Sequence, residues 1–522
     1  MAVSTLPAAA ARTIAAGIIL LAAGCGRLQF DARADANHDG DNTGCATAAI
    51  GSFQSGSGST TDPFIICSAA QFAAIGQQPS SWQNYFRLAQ DLDLANVPLV
   101  PIGSKDQPFT GGFDGAQHTM RNVAVAVGDN GGIFGFTAGA DIGNLDLRSV
   151  AIQVTANSAN VGLLVGSANN TTIHDVVAQG AITATTATYT AAGLVGYYAV
   201  SVGNSRISDI SVEIATVNAV DLVGGLAGGL LVEGSAGCTI ERVKTNVDIG
   251  QNTETLNSFG AFIGYIVVET GGQLSIAEGA ARGTLTLASY GAFSGNFIGT
   301  LLARDANTIV NLTRLASTAA LLTTSSYPSN PGRNGGLVGA LGTSTGAAVR
   351  ITRSYNAGLV HLLAPAVPLA TNVHGGLFGI LSAQTAGSIE VSDCSSSANI
   401  VADGRHSELS PGIGFLSVDA TASLTLQRIL VSGQIAPSPT SNVTSQGGWI
   451  GLANVQAPVV AIDLWFDSDV NPVPAVGNGT FSSVTGKTHA QLLTAATYAS
   501  WDTAIWNVAD GQLPTLRGLP TP

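Results

Sequence analysis

The sequence predicts an all-β fold, a parallel β-helix (β-solenoid) of about ten coils with small α/β caps at both ends. Three observations predict it. A glycine phrase recurs along the chain: Gly131-Gly132-Ile133-Phe134-Gly135, Gly162-Leu163-Leu164-Val165-Gly166, Gly193-Leu194-Val195-Gly196, Gly224-Gly225-Leu226-Ala227-Gly228, Gly260-Ala261-Phe262-Ile263-Gly264, Asn296-Phe297-Ile298-Gly299, Gly335-Gly336-Leu337-Val338-Gly339, Gly375-Gly376-Leu377-Phe378-Gly379 and Gly447-Gly448-Trp449-Ile450-Gly451, with a degenerate copy at Gly412-Ile413-Gly414-Phe415. Its period of roughly 30 to 40 residues is that of a solenoid. Each copy is followed by a second phrase with two apolar residues three apart, such as Ile173-His174-Asp175-Val176 or Ile207-Ser208-Asp209-Ile210. Charged residues are only 10% of the 522, with 64 glycines, a composition for stacked neutral strands rather than salt-bridged helices. The net charge of −13, with 20 Lys and Arg in the whole chain, leaves no basic stripe for nucleic acid.

In chain order, residues 1–24 read as a leader. A short apolar run, Thr13 to Ala23, follows Arg12 and ends in Leu21-Ala22-Ala23-Gly24-Cys25. The run is shorter than the roughly 20 residues of a membrane span and has the form of a cleaved secretory signal. The cysteine after small residues resembles the lipobox of bacterial lipoproteins, in which it is acylated. That resemblance implies a lipid anchor on Cys25 and a membrane partner, with Ala22 standing where Leu is commonest. The expected location is the cell envelope, at the outer membrane or cell surface. Residues 25–60 are aperiodic and polar, a flexible acidic tether. Within it, Asp35, Asn37, Asp39 and Asp41 around Gly40 resemble the first half of a calcium loop. Ala46 stands where such a loop needs a bidentate Glu, and a solvated acidic linker explains the run equally.

Residues 61–128 read as the N-terminal cap. Ser68-Ala69-Ala70-Gln71 is a capping box opening a short helix, and Asp114-Gly115 is a turn before a strand. The order Asp62-Pro63-Phe64-Ile65, Ala69-Ala70-Gln71-Phe72, Asp91-Leu92-Asp93-Leu94, Pro101-Ile102-Gly103, Phe113-Asp114-Gly115, together with the repeated Gly-Leu-Val-Gly phrase, is similar to bacterial GLUG-motif repeat proteins from about residue 61 onward. The resemblance, with the general chirality preference of parallel crossovers, implies a right-handed parallel β-helix, secreted or surface-exposed and often adhesin-like, without an assigned ligand.

Residues 129–470 read as the repeats. Two apolar residues three apart have opposite parity on a straight strand, so both face inward only if the chain bends or bulges between them. In the Leu-Val and Phe-Ile pairs of the glycine phrase, a straight strand puts one side chain inside and its neighbour outside. One coil cannot offset its ordering entropy, whereas a stack can, provided its open ends are capped. The second cap is expected over 471–522, where Thr488-His489-Ala490-Gln491 is another capping box. The run Trp501-Asp502, Trp506, Asp510-Gly511 and Leu513-Pro514-Thr515-Leu516 is similar to the closing segment of GLUG-type proteins.

Candidate chemistry is sparse. In an oxidising compartment Cys45 and Cys67 can form a disulfide, the alternative being two free thiols; Cys238 and Cys394 are single core thiols. Carboxylates on repeat strands are Asp146, Asp175, Asp209, Glu213, Glu241, Asp248, Glu390 and Asp393. A glycosidase needs two across a groove, and Asp175 and Asp209 sit at equivalent repeat positions. His174 and Asp175 should not pair, as strand neighbours point to opposite faces. No zinc-protease, nucleophile-elbow or phosphate-loop motif appears, and no cofactor is implied. Tyr197, Tyr198 and Tyr265 follow glycine phrases; aligned in register they would offer rings for stacking on sugars. The expectation is a lipid-anchored surface protein that binds glycans or other surface proteins. A polysaccharide hydrolase or lyase, and a passive spacer, are the alternatives.

Overall fold

Among the described residues the coils build three parallel sheets, of 23, 11 and 9 strands, called here the broad, second and third sheets. The computed structural model describes residues 45, 53, 55–155, 160–184, 190–218, 221–251, 258–287, 293–323, 332–363, 372–403, 405–438 and 442–522, all within one compact unit, Thr43–Pro522. The leader, Cys25 and the acidic run with Asp35, Asn37, Asp39 and Asp41 lie outside the described residues.

One coil illustrates the rest. Asn160–Gly162 is a rung of the third sheet, Leu163 and Leu164 turn the corner, and Val165–Asn169 is a rung of the second sheet. Asn170, with φ 47°, turns the chain again, and Thr172–Ala184 runs along the broad sheet. Equivalent residues stack in register: Val165 on Val195, Ile173 on Ile207, Val161 on Ala191. The core is made of these columns. Ile173, Ile207, Ile240, Ile276, Leu312, Ile351, Val391 and Leu426 are each at most 1% exposed, and each such burial stabilises by about 1.5–3 kcal/mol.

The bend required by the second phrase is one residue wide. Asn144, Asp175, Asp209, Arg242, Glu278, Arg314, Arg353, Asp393, Arg428 and Asp463 all have φ between 51° and 59°. A left-handed residue between the two apolar ones restores their common inward direction.

The glycine phrase departs from the expected in–out alternation. Leu163, Leu164 and Val165 are all fully buried, as are Leu194 with Val195, Phe262 with Ile263 and Phe297 with Ile298. The phrase is not a straight strand: it is the corner between the third and second sheets, so consecutive side chains both turn inward. Outside the corner the two backbones almost touch. A Cβ on Gly299 would lie 2.4 Å from the Gly264 carbonyl oxygen and 2.7 Å from the Phe259 nitrogen. Every one of the eleven second-sheet strands has glycine at this second position.

Both ends are capped. Phe64–Ile66, Tyr85–Leu88 and Gly112–Asp114 already pair in the broad sheet, and helix Ala69–Gln77 lies at this end of the chain. Ser68 caps the Gln71 nitrogen, but the Gln71 side chain accepts from Cys67 rather than Ser68, so the box is half formed. Cys45 and Cys67 are joined in a disulfide with Cα atoms 5.6 Å apart. At the far end rungs continue beyond residue 470 to Val476–Gly479 and Val484–Lys487. The closing cap is therefore shorter than 471–522 and begins at Thr488, whose capping box is complete. There Leu430, Trp465, Leu492, Tyr498, Trp501 and Trp506 form a separate apolar cluster.

Candidate functional site

The left-handed corner residues form a column running the length of the stack, one per coil. Left-handed backbone costs a non-glycine residue about 1–2 kcal/mol, least for Asn and Asp, yet five of the ten are Arg or Glu. Their side chains interact between coils. Arg242 bonds both oxygens of Asp209, at 2.7 and 2.8 Å. Arg314 pairs with Glu278 at 2.5 Å. Arg428 again grips both oxygens of Asp393, at 2.7 and 2.8 Å. Asp393 is buried, and the Trp506 indole of the closing cap donates to it at 3.0 Å. The arginine holds Asp209 below the usual carboxylate range, and Asp393 raises Arg428.

Two concavities open on the broad sheet. One, of about 560 Å³, lies along the corner column, with Asn311, Thr313, Arg350, Arg353, Gln427 and Arg428 in its lining. The other, about 770 Å³, spans earlier coils, with Gln179, Glu213, Asn246, Asp248 and Thr284 in its lining. In the second, Gln179, Glu213 and Asn246 stand in register on successive rungs, about 4.8 Å apart. Gln179 donates to Glu213 at 3.3 Å. Gly180 and Gly283 let neighbouring rungs approach closely here: a Cβ there would lie 2.2 Å from the Val150 oxygen and 1.8 Å from the Val247 oxygen. Burial raises the Asp248 carboxyl.

The tyrosines separate. Tyr198 is fully buried and its hydroxyl donates to the Thr171 carbonyl, so it is not available to a ligand. It alternates with Tyr197, which points outward. Tyr197 and Tyr265 do share one outward row with Gly229 between them; the Tyr197 ring lies where a Gly229 side chain would be, 2.7 Å from its ideal Cβ.

His174 and Asp175 do pair, at 3.1 Å, contrary to the straight-strand expectation. The left-handed φ of 51° at Asp175 breaks the alternation. His174 also lies 3.5 Å from Asp141. The bond to Asp141, then that to Asp175, raises the imidazole pKa to about 9. Its stabilisation is thus complete below about 6.5 and is lost as pH rises through 9. An NMR titration of labelled histidine should place His174 near 9, and Asp141→Asn should move it down towards 6.5. A midpoint unchanged by the substitution would remove Asp141 as the cause.

Of the other carboxylates singled out from sequence, Glu241 pairs with Arg206 and Arg242, Glu390 with Arg350 at 3.1 Å and Asp146 with Arg148 at 2.6 Å. Asp175 and Asp209 occupy neighbouring positions in the corner column, each with its own basic partner. Burial pushes Glu408, on the third sheet, up to about 7, and its Oε2 lacks a hydrogen bond. Burial likewise pushes the Cys238 and Cys394 thiols up to about 12, leaving them inert. Among the described residues, no group of three or more His, Cys, Asp or Glu is placed to hold a metal, and no helix is long and apolar enough to cross a membrane.

Sequence reasoning missed the corner column as a charge ladder. Its signal was present, a polar or charged third residue in each Ile-x-x-Val phrase. Which charges meet depends on the bend and the register.

No family profile matches the chain, so the GLUG-type resemblance rests on the repeated phrases themselves. A segment is 28% identical over 155 residues to Halomucin of Haloquadratum walsbyi, covering 26% of this chain and 2% of that protein; the chain thus spans a small fraction of the relative it matches. A crystal structure from Bacteroides ovatus, described provisionally as an immunoglobulin A1 protease, is similar with a TM-score of 0.39 and 20% identity, over 56% of this chain and 87% of the other.

Proposed function

We propose that this chain is a cell-surface solenoid, lipid-anchored through Cys25, that binds glycans along its broad sheet. One observation carries the reading: the in-register row of Gln179, Glu213 and Asn246 lining the second concavity. Planar amides and a carboxylate repeat there at the rung spacing and offer donors and acceptors to the hydroxyls of an extended sugar chain. The half-exposed rings of Tyr197 and Tyr265 supply a second, apolar contact on another face. Weighing against the hydrolase alternative, Asp209, Glu241, Glu390 and Asp393 each have an arginine partner, which favours permanently charged, structurally committed carboxylates over an acid–base pair.

The test is a polysaccharide panel scored for retention and for release of new reducing ends. Retention without release is expected, with Gln179→Ala and Asn246→Ala each weakening it about fivefold, one net hydrogen bond. Release that disappears in Asp175→Ala would establish the enzyme instead. Neither retention nor release would leave the spacer.

A further inference from the structure

The corner column is built from acid–base pairs on adjacent coils: Asp209 with Arg242, Glu278 with Arg314, Asp393 with Arg428. Arg353 stands between the second pair and the third. It has the same left-handed backbone, φ 51°, and its nitrogen bonds Ser392 in the next coil at 3.2 Å. Among the described residues no carboxylate lies within ion-pair distance of it. On one side the preceding coil presents Arg314, engaged by Glu278. On the other, both Asp393 oxygens are held by Arg428, and one also by Trp506. Glu390 belongs to Arg350. The concavity beside Arg353 therefore has three arginines against two carboxylates in its lining, in a protein whose net charge is −13.

We propose that Arg353 recognises the carboxylate of an acidic saccharide, and that the polysaccharide bound by this face contains uronic acid residues. This rests on the glycan-binding reading above and names the class of sugar. The column itself supplies the template. Where an arginine occupies this corner at 242 and 428, a carboxylate at the preceding corner meets it with two parallel bonds. At 353 that carboxylate is missing, and one from outside can take the same planar, two-point geometry. The surrounding groups suit a sugar ring: Asn311, Thr313 and Gln427 offer amides and a hydroxyl, and Ile505 of the closing cap an apolar edge. A lone fork on one corner matches a carboxylate better than a multiply charged phosphate, which draws several cations.

The experiment measures binding of the full chain, purified in detergent, to oligomers of galacturonate, glucuronate-containing disaccharide, mannuronate and guluronate. Each is compared with its carboxyl-reduced counterpart and with a sulfated neutral oligomer. At least one uronate should bind, with the carboxyl-reduced form about tenfold weaker or worse, the scale of one charge-assisted contact. Arg353→Met should remove that preference while leaving affinity for the reduced oligomer unchanged. Arg353→Asn, better suited to the left-handed backbone, should do the same, and Arg304→Met, elsewhere on the surface, should bind as the unaltered chain does. The inference is overturned if no uronate binds, if carboxyl reduction leaves affinity intact, if the sulfated oligomer is preferred, or if both Arg353 variants keep the acidic preference. Neutral glycans retained in any of those outcomes would leave the broader glycan reading standing; failure of every glycan would end both.

Discussion

Asp393→Ala should destabilise the C-terminal half of the solenoid by about 3–5 kcal/mol, the cost of stripping one partner from a buried ion pair. The carboxylate is 6% exposed and Arg428 26%, so the guanidinium left behind is poorly placed to recover its hydration. The loss has a second part. Trp506 reaches Asp393 from 113 residues further along the chain, within the cluster where Trp465 and Trp501 stack with centroids 5.1 Å apart. Removing Asp393 therefore weakens a coil and takes away one of the closing cap's ties to it, leaving the packing on Leu430 and Trp465. Denaturant unfolding followed by tryptophan fluorescence should show the cap transition moving first. Trp506→Phe, which deletes the hydrogen bond and keeps most of the ring, should cost nearer 1 kcal/mol. An unchanged midpoint for Asp393→Ala would mean that the pair contributes nothing net.

Gly299→Ala is expected to cost about 2–3 kcal/mol although it adds a single methyl group. The new Cβ would meet the Gly264 oxygen at 2.4 Å and the Phe259 nitrogen at 2.7 Å. Both are backbone atoms of the preceding coil, so no rotamer change relieves the clash. One of the two sheets must move away, opening the corner over Phe297 and Ile298, both fully buried. Each coil touches mainly its neighbours, so the damage should be local. Hydrogen exchange should quicken in the rungs Ile263–Val268, Ile298–Ala303 and Val338–Thr343 while the first coils stay protected. As a control, Gly203→Ala, at a turn with no heavy atom within 4 Å of the new Cβ, should cost only the strain of its φ of 65°. Equal protection across all coils in Gly299→Ala would refute the close-approach account.

The repeat, the bend in the second phrase and the caps were legible because each is written in residues close together: glycine with apolar neighbours, apolar residues three apart, a capping threonine followed by glutamine. Orientation inside the corner was not legible. Leu163 and Leu164 both face the core because two sheets meet there, and alternation on one strand cannot report an angle between two. Tyr198 is a different case: ordinary strand alternation places it opposite Tyr197 and inside, so its burial is legible once the two neighbours are read as one strand. His174 with Asp175 failed in the reverse sense: alternation was assumed where a left-handed residue suspends it. The partnerships of Asp209, Glu278, Asp393 and the isolation of Arg353 depend on which corner residues stack, and the spacing between corners varies from coil to coil.

The two invariant columns, glycine at the second position of each second-sheet strand and a left-handed residue in each broad-sheet phrase, have a consequence for how such a chain changes over time. The features that recur at every coil are those columns, the apolar residues beside them and the backbone ladders, while the segments between them differ in length. A crossover between two copies of the glycine phrase returns a chain in which both columns still run unbroken. The coil is thus a unit of exchange: whole turns can be gained or deleted, and length altered in steps of one rung, with the caps left untouched.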